Sequence, residues 1–256
     1  MDTPVRTETA DDVTTITLAD VDNKNSLGFA LVEGLRGALA CANADPDVRV
    51  VVLTNEGNTF CAGANHKERT ASTSQAAKSN GFEQLLGEIQ ASPTPIIGKI
   101  AGHVVGGGLG LASALDISVA KDDAKFGFTE VRLGVAPAMI SVVCLPKMRR
   151  GEALEAFLRG NRFSATRAVE LGLINHAVPE ADLDAEVDAV IADVVRGGPQ
   201  ALAAAKRLVY EVPSMEQGEA FKYTAKVSGD LFASDEAAAG MRAFLAREDA
   251  PWVPPA

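Results

Sequence analysis

Ile97-Gly98-Lys99-Ile100-Ala101-Gly102-His103-Val104-Val105-Gly106-Gly107-Gly108-Leu109-Gly110-Leu111-Ala112 reads as a strand that enters a glycine triplet and opens a helix. Three glycines in a row let the backbone approach a ligand or another segment closely, because no Cβ intervenes and positive φ is cheap. The apolar run from Leu109 to Ala114 is helix-compatible, so the glycine N–H groups sit at a helix N-terminus, where partial positive charge favours an anion. A phosphate site, an oxyanion hole and a plain packing contact between helix and sheet all fit this stretch. A Walker loop would need Lys and Ser or Thr after the glycines, and a dinucleotide fingerprint a third glycine three residues on; neither is present.

Working outward, Val48 to Thr54 is almost continuously apolar, as a buried strand would be. Before it, Leu27, Leu31, Leu35 and Leu39 mark an amphipathic helix, with Ser26 as its expected N-cap and Asp45-Pro46 near its end. Val5 to Thr9 and Val13 to Leu18 read as two strands around Ala10-Asp11-Asp12. Glu68 to Gln90 is polar except near its end, and reads as a loop or fraying helix leading into an ordered one.

Downstream of the triplet, Asp116 to Ala120 is a strand, and Lys125-Phe126-Gly127-Phe128-Thr129-Glu130 sets a carboxylate just past an aromatic strand. A carboxylate in apolar company has its pKa raised toward neutrality, which suits acid–base work; the alternative for Glu130 is a surface ion pair. Beyond Gly151 the chain is mainly helical, with Glu152 to Arg159, a short helix capped by Ser164, Asp182 to Val195 and Pro199 to Tyr210. Leu173 to Val178 is a last strand. Ser214-Met215-Glu216-Gln217 reads as a capping box for a helix to Phe232, and a final helix runs from Asp235 to Arg247.

Composition narrows the function classes. A formal charge of −10 is opposed to a nucleic-acid surface, which needs clustered Lys and Arg. The N-terminus lacks the basic start and apolar core of a signal peptide, and no apolar run reaches the roughly 18 residues of a membrane span. Three widely spaced cysteines, Cys41, Cys61 and Cys144, point to a reduced, cytoplasmic setting and away from a metal site, with Cys61 a buried filler rather than a nucleophile.

Three segments taken together resemble the crotonase (enoyl-CoA hydratase/isomerase) superfamily in order and spacing: Phe60-Cys61-Ala62-Gly63-Ala64-Asn65, Ala101 to Gly108, and Phe126 to Gly134. The resemblance implies an α/β fold, a spiral of ββα units over residues 1–196 with a helical trimerisation region over 197–256, assembled as a homotrimer or dimer of trimers. It implies that the backbone N–H groups of Ala64 and Gly107 form an oxyanion hole for the thioester oxygen of an acyl-CoA, and that Glu130 is the catalytic acid–base group. It sets the CoA moiety near Lys24 and the segment Ala62, Asn65, His66 and Lys67, with Arg247 at a position that reaches CoA on a neighbouring subunit. Coenzyme A then enters as part of the substrate, with no separate cofactor and no metal.

The chain departs from the resemblance in one informative place. Two-glutamate hydratases of the family carry a carboxylate on the helix after the triplet, where this chain has Gly110. The family's Pro-Gly-x-Gly-Gly segment is here Pro137-Ala138-Met139-Ile140-Ser141, and the combination is most similar to the methylglutaconyl-CoA hydratase-like branch. Hydration of a 2-enoyl-CoA is the expected reaction. The rivals are Δ3,Δ2-isomerisation by Glu130 alone and a CoA-binding scaffold without chemistry. His103 reads as structural, and Ser141 as capping or packing.

Overall fold

The computed structural model describes residues 3–65, 67–68 and 81–254. Val5–Ala10 (β1) and Val13–Leu18 (β2) pair antiparallel, and Phe29–Ala44 (α1) crosses over to Val50–Asn55 (β3), which lies parallel to β2. Then follow Thr59–Cys61 (β4), Phe82–Ala91 (α2), Ile96–Ile100 (β5), His103–Val105 (β6), Gly107–Ala114 (α3), Ile117–Lys121 (β7) and Lys125–Gly127 (β8). Ala138–Cys144 (α4), Arg150–Arg159 (α5), Phe163–Ser164 (β9), Ala165–Glu170 (α6), His176–Val178 (β10) and Leu183–Val194 (α7) complete the core. Pro199–Glu211 (α8), Gln217–Phe232 (α9) and Asp235–Ala246 (α10) form the helical end.

The strands sort into a six-stranded sheet, β1-β2-β3-β5-β7-β10, and a four-stranded sheet, β4-β6-β8-β9. Each of the pairs β3–β4, β5–β6 and β7–β8 sends its first strand to the larger sheet and its second to the smaller one. The chain therefore coils, one strand pair per turn, which is the ββα spiral that the resemblance implies.

Strand β3 explains its own composition. Val51 and Leu53 join the main core with Leu31, Leu35, Phe60 and Leu85, while Val50 and Val52 join a second core beneath α7 with Ile97, Val119, Leu183 and Val187. A strand buried on both faces has no polar side to alternate with. Strand β2 covers one face only, and alternates between half-buried and buried positions.

Several local expectations are corrected. Helix α1 starts at Phe29 with Gly28 as N-cap, because Leu27 is drawn into a bridge with Ala64 and Ser26 falls outside the helix. Glu216, not Ser214, caps α9, and the Ser214 hydroxyl donates to Glu211 O at 2.9 Å. The altered segment at Ala138 to Ser141 is the start of α4, with the Ser141 hydroxyl donating to Ala138 O at 2.6 Å.

The helical end is tied to the core by buried charge. Lys206 of α8, with its side chain 8% exposed, donates to Asp116 Oδ2 and to Ile89 O, each at 2.8 Å, and Asp116 also accepts from Ile96 N at 2.7 Å. Asp116→Ala would leave that ammonium buried without its counter-charge. We expect a loss of about 3–5 kcal/mol, read as a drop in the urea unfolding midpoint at unchanged m-value.

Candidate active site

The site is assembled from three turns of the spiral. After β4 the chain passes through Ala62-Gly63-Ala64, held on one side by Ala62 N to Lys24 O (3.1 Å) and Leu27 N to Gly63 O (2.8 Å). On the other side it lies against the N-terminus of α3. Gly63 has φ +81°, and a Cβ placed on it would stand 2.8 Å from both Gly107 N and Val105 O. A Cβ on Gly108 would stand 2.4 Å from Cys61 O. The triplet and the earlier loop thus touch backbone to backbone, which only glycine permits.

This contact brings two donors side by side. Gly107 opens α3, so its N–H has no partner within the helix. Ala64 N lies 3.6 Å from where a Gly107 Cβ would be. Among the described residues neither N–H is taken up by a backbone or side-chain hydrogen bond.

The third turn supplies the carboxylate. Strand β8 runs parallel to β6, with Val104 opposite Phe126 and Val105 opposite Gly127, and Gly106 N bonds to Gly127 O at 3.0 Å. Phe126 and Phe128 are fully buried, and Phe128 packs on Phe157 with ring centroids 4.5 Å apart. These rings fix the chain two residues before Glu130, which opens the 3-10 helix Glu130–Leu133. Glu130 Oε1 lies 3.5 Å from where a Gly106 Cβ would be, against the same turn as the two donors. Its Oε2 is buried and has no hydrogen-bond partner among the described residues, and burial raises the carboxyl above the usual glutamate range. The surface ion pair considered for Glu130 is not formed among the described residues.

One turn along α3 from Gly107, the helix is covered by hydrocarbon. A Cβ on Gly110 would stand 2.3 Å from Ile140 Cγ2, so Ile140 of α4 occupies the space in which a side chain at Gly110 would begin. Farther along the same helix pair, Cys144 Sγ reaches Ser113 Oγ at 3.5 Å. Burial pushes the Cys61 and Cys144 thiols up to about 12, so neither is a thiolate near neutral pH.

The remaining sequence-selected residues divide by location. Lys24 is exposed with φ +54°, and its carbonyl holds the Ala62 loop; Lys67 is also exposed. Asn65 is engaged with Glu68, donating from Nδ2 to Glu68 Oε1 at 3.0 Å. Glu68 in turn accepts from Phe29 N at 3.0 Å, so a carboxylate distant in sequence serves the first turn of α1. No sequence signal near α1 announces it. His66 lies outside the described residues. Arg247 ends α10, bonding from N to Phe244 O at 3.2 Å, and no hydrogen bond or ion pair among the described residues joins it to the other candidates. His103 Nδ1 accepts from Lys125 N at 3.2 Å, a structural role.

Residues 8–254 match the family described as Enoyl-CoA hydratase/isomerase. A Bacillus subtilis protein named "Probable enoyl-CoA hydratase" is 34% identical over 226 residues, 86% of this chain and 88% of its own length. Among solved structures, Pseudomonas aeruginosa AtuE is 30% identical at a TM-score of 0.93, covering 98% of this chain and 100% of that one. An enoyl-CoA hydratase of Mycobacterium smegmatis is 27% identical at a TM-score of 0.92, covering 98% and 99%. The chain belongs to the enoyl-CoA hydratase/isomerase family, and is an enzyme of the crotonase superfamily. Membership implies an acyl-CoA thioester as substrate. No helix among the described residues is long and apolar enough to cross a membrane.

Proposed function

We propose that the enzyme adds water across the 2,3 double bond of an enoyl-CoA through an enolate. The observation that carries this reading is the juxtaposition of two backbone donors, Ala64 and Gly107, with one buried, unpartnered carboxylate oxygen on Glu130. The thioester oxygen accepts from the two N–H groups, so negative charge developing there meets donors already aligned, each contributing roughly 3 kcal/mol to the transition state. Glu130 takes a proton from water as hydroxide bonds to C3, and the π electrons move toward the thioester oxygen. The enolate collapses as Glu130 returns that proton to C2.

Coenzyme A enters as part of the substrate, near Lys24, Ala62, Asn65 and Lys67, with no separate cofactor, in a cytoplasmic enzyme. A homotrimeric assembly, alone or doubled, is supported by large apolar side chains exposed on α9 and α10: Phe221 at 67%, Phe232 at 69% and Phe244 at 81%. In that assembly Arg247 would serve a neighbour's CoA.

A second reading, isomerisation of a 3-enoyl-CoA, is favoured by Gly110, which carries no carboxylate and whose side-chain space Ile140 fills. Incubation with 2-enoyl-CoA and with 3-enoyl-CoA, with products identified by mass, decides between them. We expect a 3-hydroxyacyl-CoA from the 2-enoyl substrate. Isomerisation with no hydrated product overturns the first reading, and binding of thioesters with no product from either favours a scaffold.

A further inference from the structure

We propose that Glu68 is a positioning residue for the Ala64 donor, acting through the chain from Leu27 to Phe29. The proposal rests on the reading above, in which Ala64 N–H receives the thioester oxygen.

The peptide unit that carries Ala64 N–H also carries the Gly63 carbonyl, and because the unit is planar and trans the N–H points opposite to the carbonyl and turns with it. Gly63 O accepts from Leu27 N at 2.8 Å, and Leu27 is bridged to Ala64. The direction of the donor is therefore set by where Leu27 stands. An acceptor engaged at one end of a peptide also polarises the N–H at its other end.

What holds Leu27 in place is the turn into α1, and that turn lacks a cap of its own. Gly28 is the N-cap and has no side chain to serve the first N–H groups of the helix. Glu68 supplies the missing acceptor. Its Oε2 accepts from Phe29 N at 3.0 Å, its Oε1 accepts from Asn65 Nδ2 at 3.0 Å, and its own N–H donates to Asn65 Oδ1 at 3.2 Å. One carboxylate thus ties the residue after Ala64 to the second residue after Leu27. Negative charge is favoured at that helix end as well. Gly28 makes room for it, since a Cβ there would stand 2.4 Å from Glu68 Oε1 and 3.1 Å from Asn65 Nδ2. The two strands of chain that meet at the Leu27 to Gly63 bond are closed into a ring by a side chain that touches no reacting atom. Opening the ring frees the Ala64 peptide to rotate. Negative charge on the thioester oxygen is greatest in the enolate, so a misplaced donor costs the transition state more than the bound substrate.

The test uses two independent ways of opening the ring. Glu68→Ala removes the acceptor, and Gly28→Ala displaces it by occupying its place with a methyl group, at a backbone φ of −85° that alanine adopts without strain. Each should lower kcat by roughly ten- to a hundredfold, the size of a misplacement of up to about 1 Å, with KM changed by no more than about threefold. Glu68→Gln, which keeps an oxygen for Phe29 N, should recover most of the loss. Ser164→Ala removes the side-chain cap of α6 and should lower Tm without lowering kcat. Hexa-2,4-dienoyl-CoA reports the donor directly, because polarising its thioester oxygen moves its absorption to longer wavelength. We expect this red-shift on wild type and on Glu68→Gln, and a smaller one on Glu68→Ala and Gly28→Ala. A full red-shift on both alanine variants overturns the proposal. So does a loss of kcat in Glu68→Gln as deep as in Glu68→Ala, which would assign the effect to the charge of Glu68 and not to its bonds. Absence of the red-shift on saturated wild type means that the oxyanion-hole reading itself fails; its presence there and on both alanine variants means that only the role of Glu68 fails.

Discussion

Glu130→Gln is expected to lower kcat by about 10²- to 10⁴-fold, the usual worth of a positioned acid–base group, while leaving the fold intact. The amide keeps the shape of the carboxyl and its contact with the Gly106 turn, but cannot accept and return a proton. The wild-type pH profile carries the same information. Burial raises the Glu130 carboxyl, so the acid limb of kcat/KM should fall at a pH above the ordinary glutamate value of about 4.3. A group whose folded pKa is raised contributes stability that is present below its unfolded pKa and is lost as pH rises through the folded pKa. At neutral pH the native enzyme therefore carries the cost of an ionised, partly desolvated group that the Gln variant avoids. Thermal unfolding should show the inactive variant to be the more stable protein at pH 7 to 8, with the gap closing below about pH 4. Unchanged turnover in Glu130→Gln would remove Glu130 from the mechanism.

Gly63→Ala should be nearly as damaging, for a reason of backbone rather than side-chain chemistry. An alanine at φ +81° is strained by roughly 1–3 kcal/mol, and its Cβ would meet Gly107 N and Val105 O at 2.8 Å. Neither obstacle is a flexible side chain, so either the loop or the first turn of α3 must move. That moves Ala64 N relative to Gly107 N. Loss of one well-placed oxyanion donor costs about 10²- to 10³-fold in kcat, and we expect that loss in steady-state assays together with a lower Tm. Gly87→Ala in α2 is the control, since nothing lies within 4 Å of its Cβ and alanine is favoured there by about 1 kcal/mol. It should raise Tm and leave kcat alone.

The larger sheet and the helices that cover it were legible in the sequence because their strands are long enough to show a pattern. β3 announced itself by unbroken apolarity and β2 by its run of β-branched residues. Of the smaller sheet only β8 was legible, as the aromatic strand before Glu130; β4 and β6 have three residues each, and β9 two, too short for any periodicity. They form because partners from successive turns hold them, β4, β6 and β8 in parallel and β9 antiparallel to β8. The candidate site divides the same way. The glycine triplet, the Gly63 loop and Glu130 stood out as local motifs, and the resemblance related them. Glu68 serving α1 and Ile140 seated on Gly110 join residues 39 and 30 positions apart, and local propensity does not report such contacts. Caps failed for a related reason. Ser26 is a good N-cap residue, but the bridge from Leu27 to Ala64 decides where α1 begins.

The backbone contact between Gly63 and Gly107 also governs when the site comes into being. Its two N–H groups belong to segments more than forty residues apart, and each faces the other only after successive turns of the spiral have stacked. Even once helix α3 has formed, half of the oxyanion hole is absent until the Gly63 loop packs against it. Glu130 arrives with the next turn. During refolding, the search for these non-local pairings is the slow part of the process. Recovery of turnover therefore trails recovery of helicity, and enzymatic activity serves as a clock for the closing of the coil.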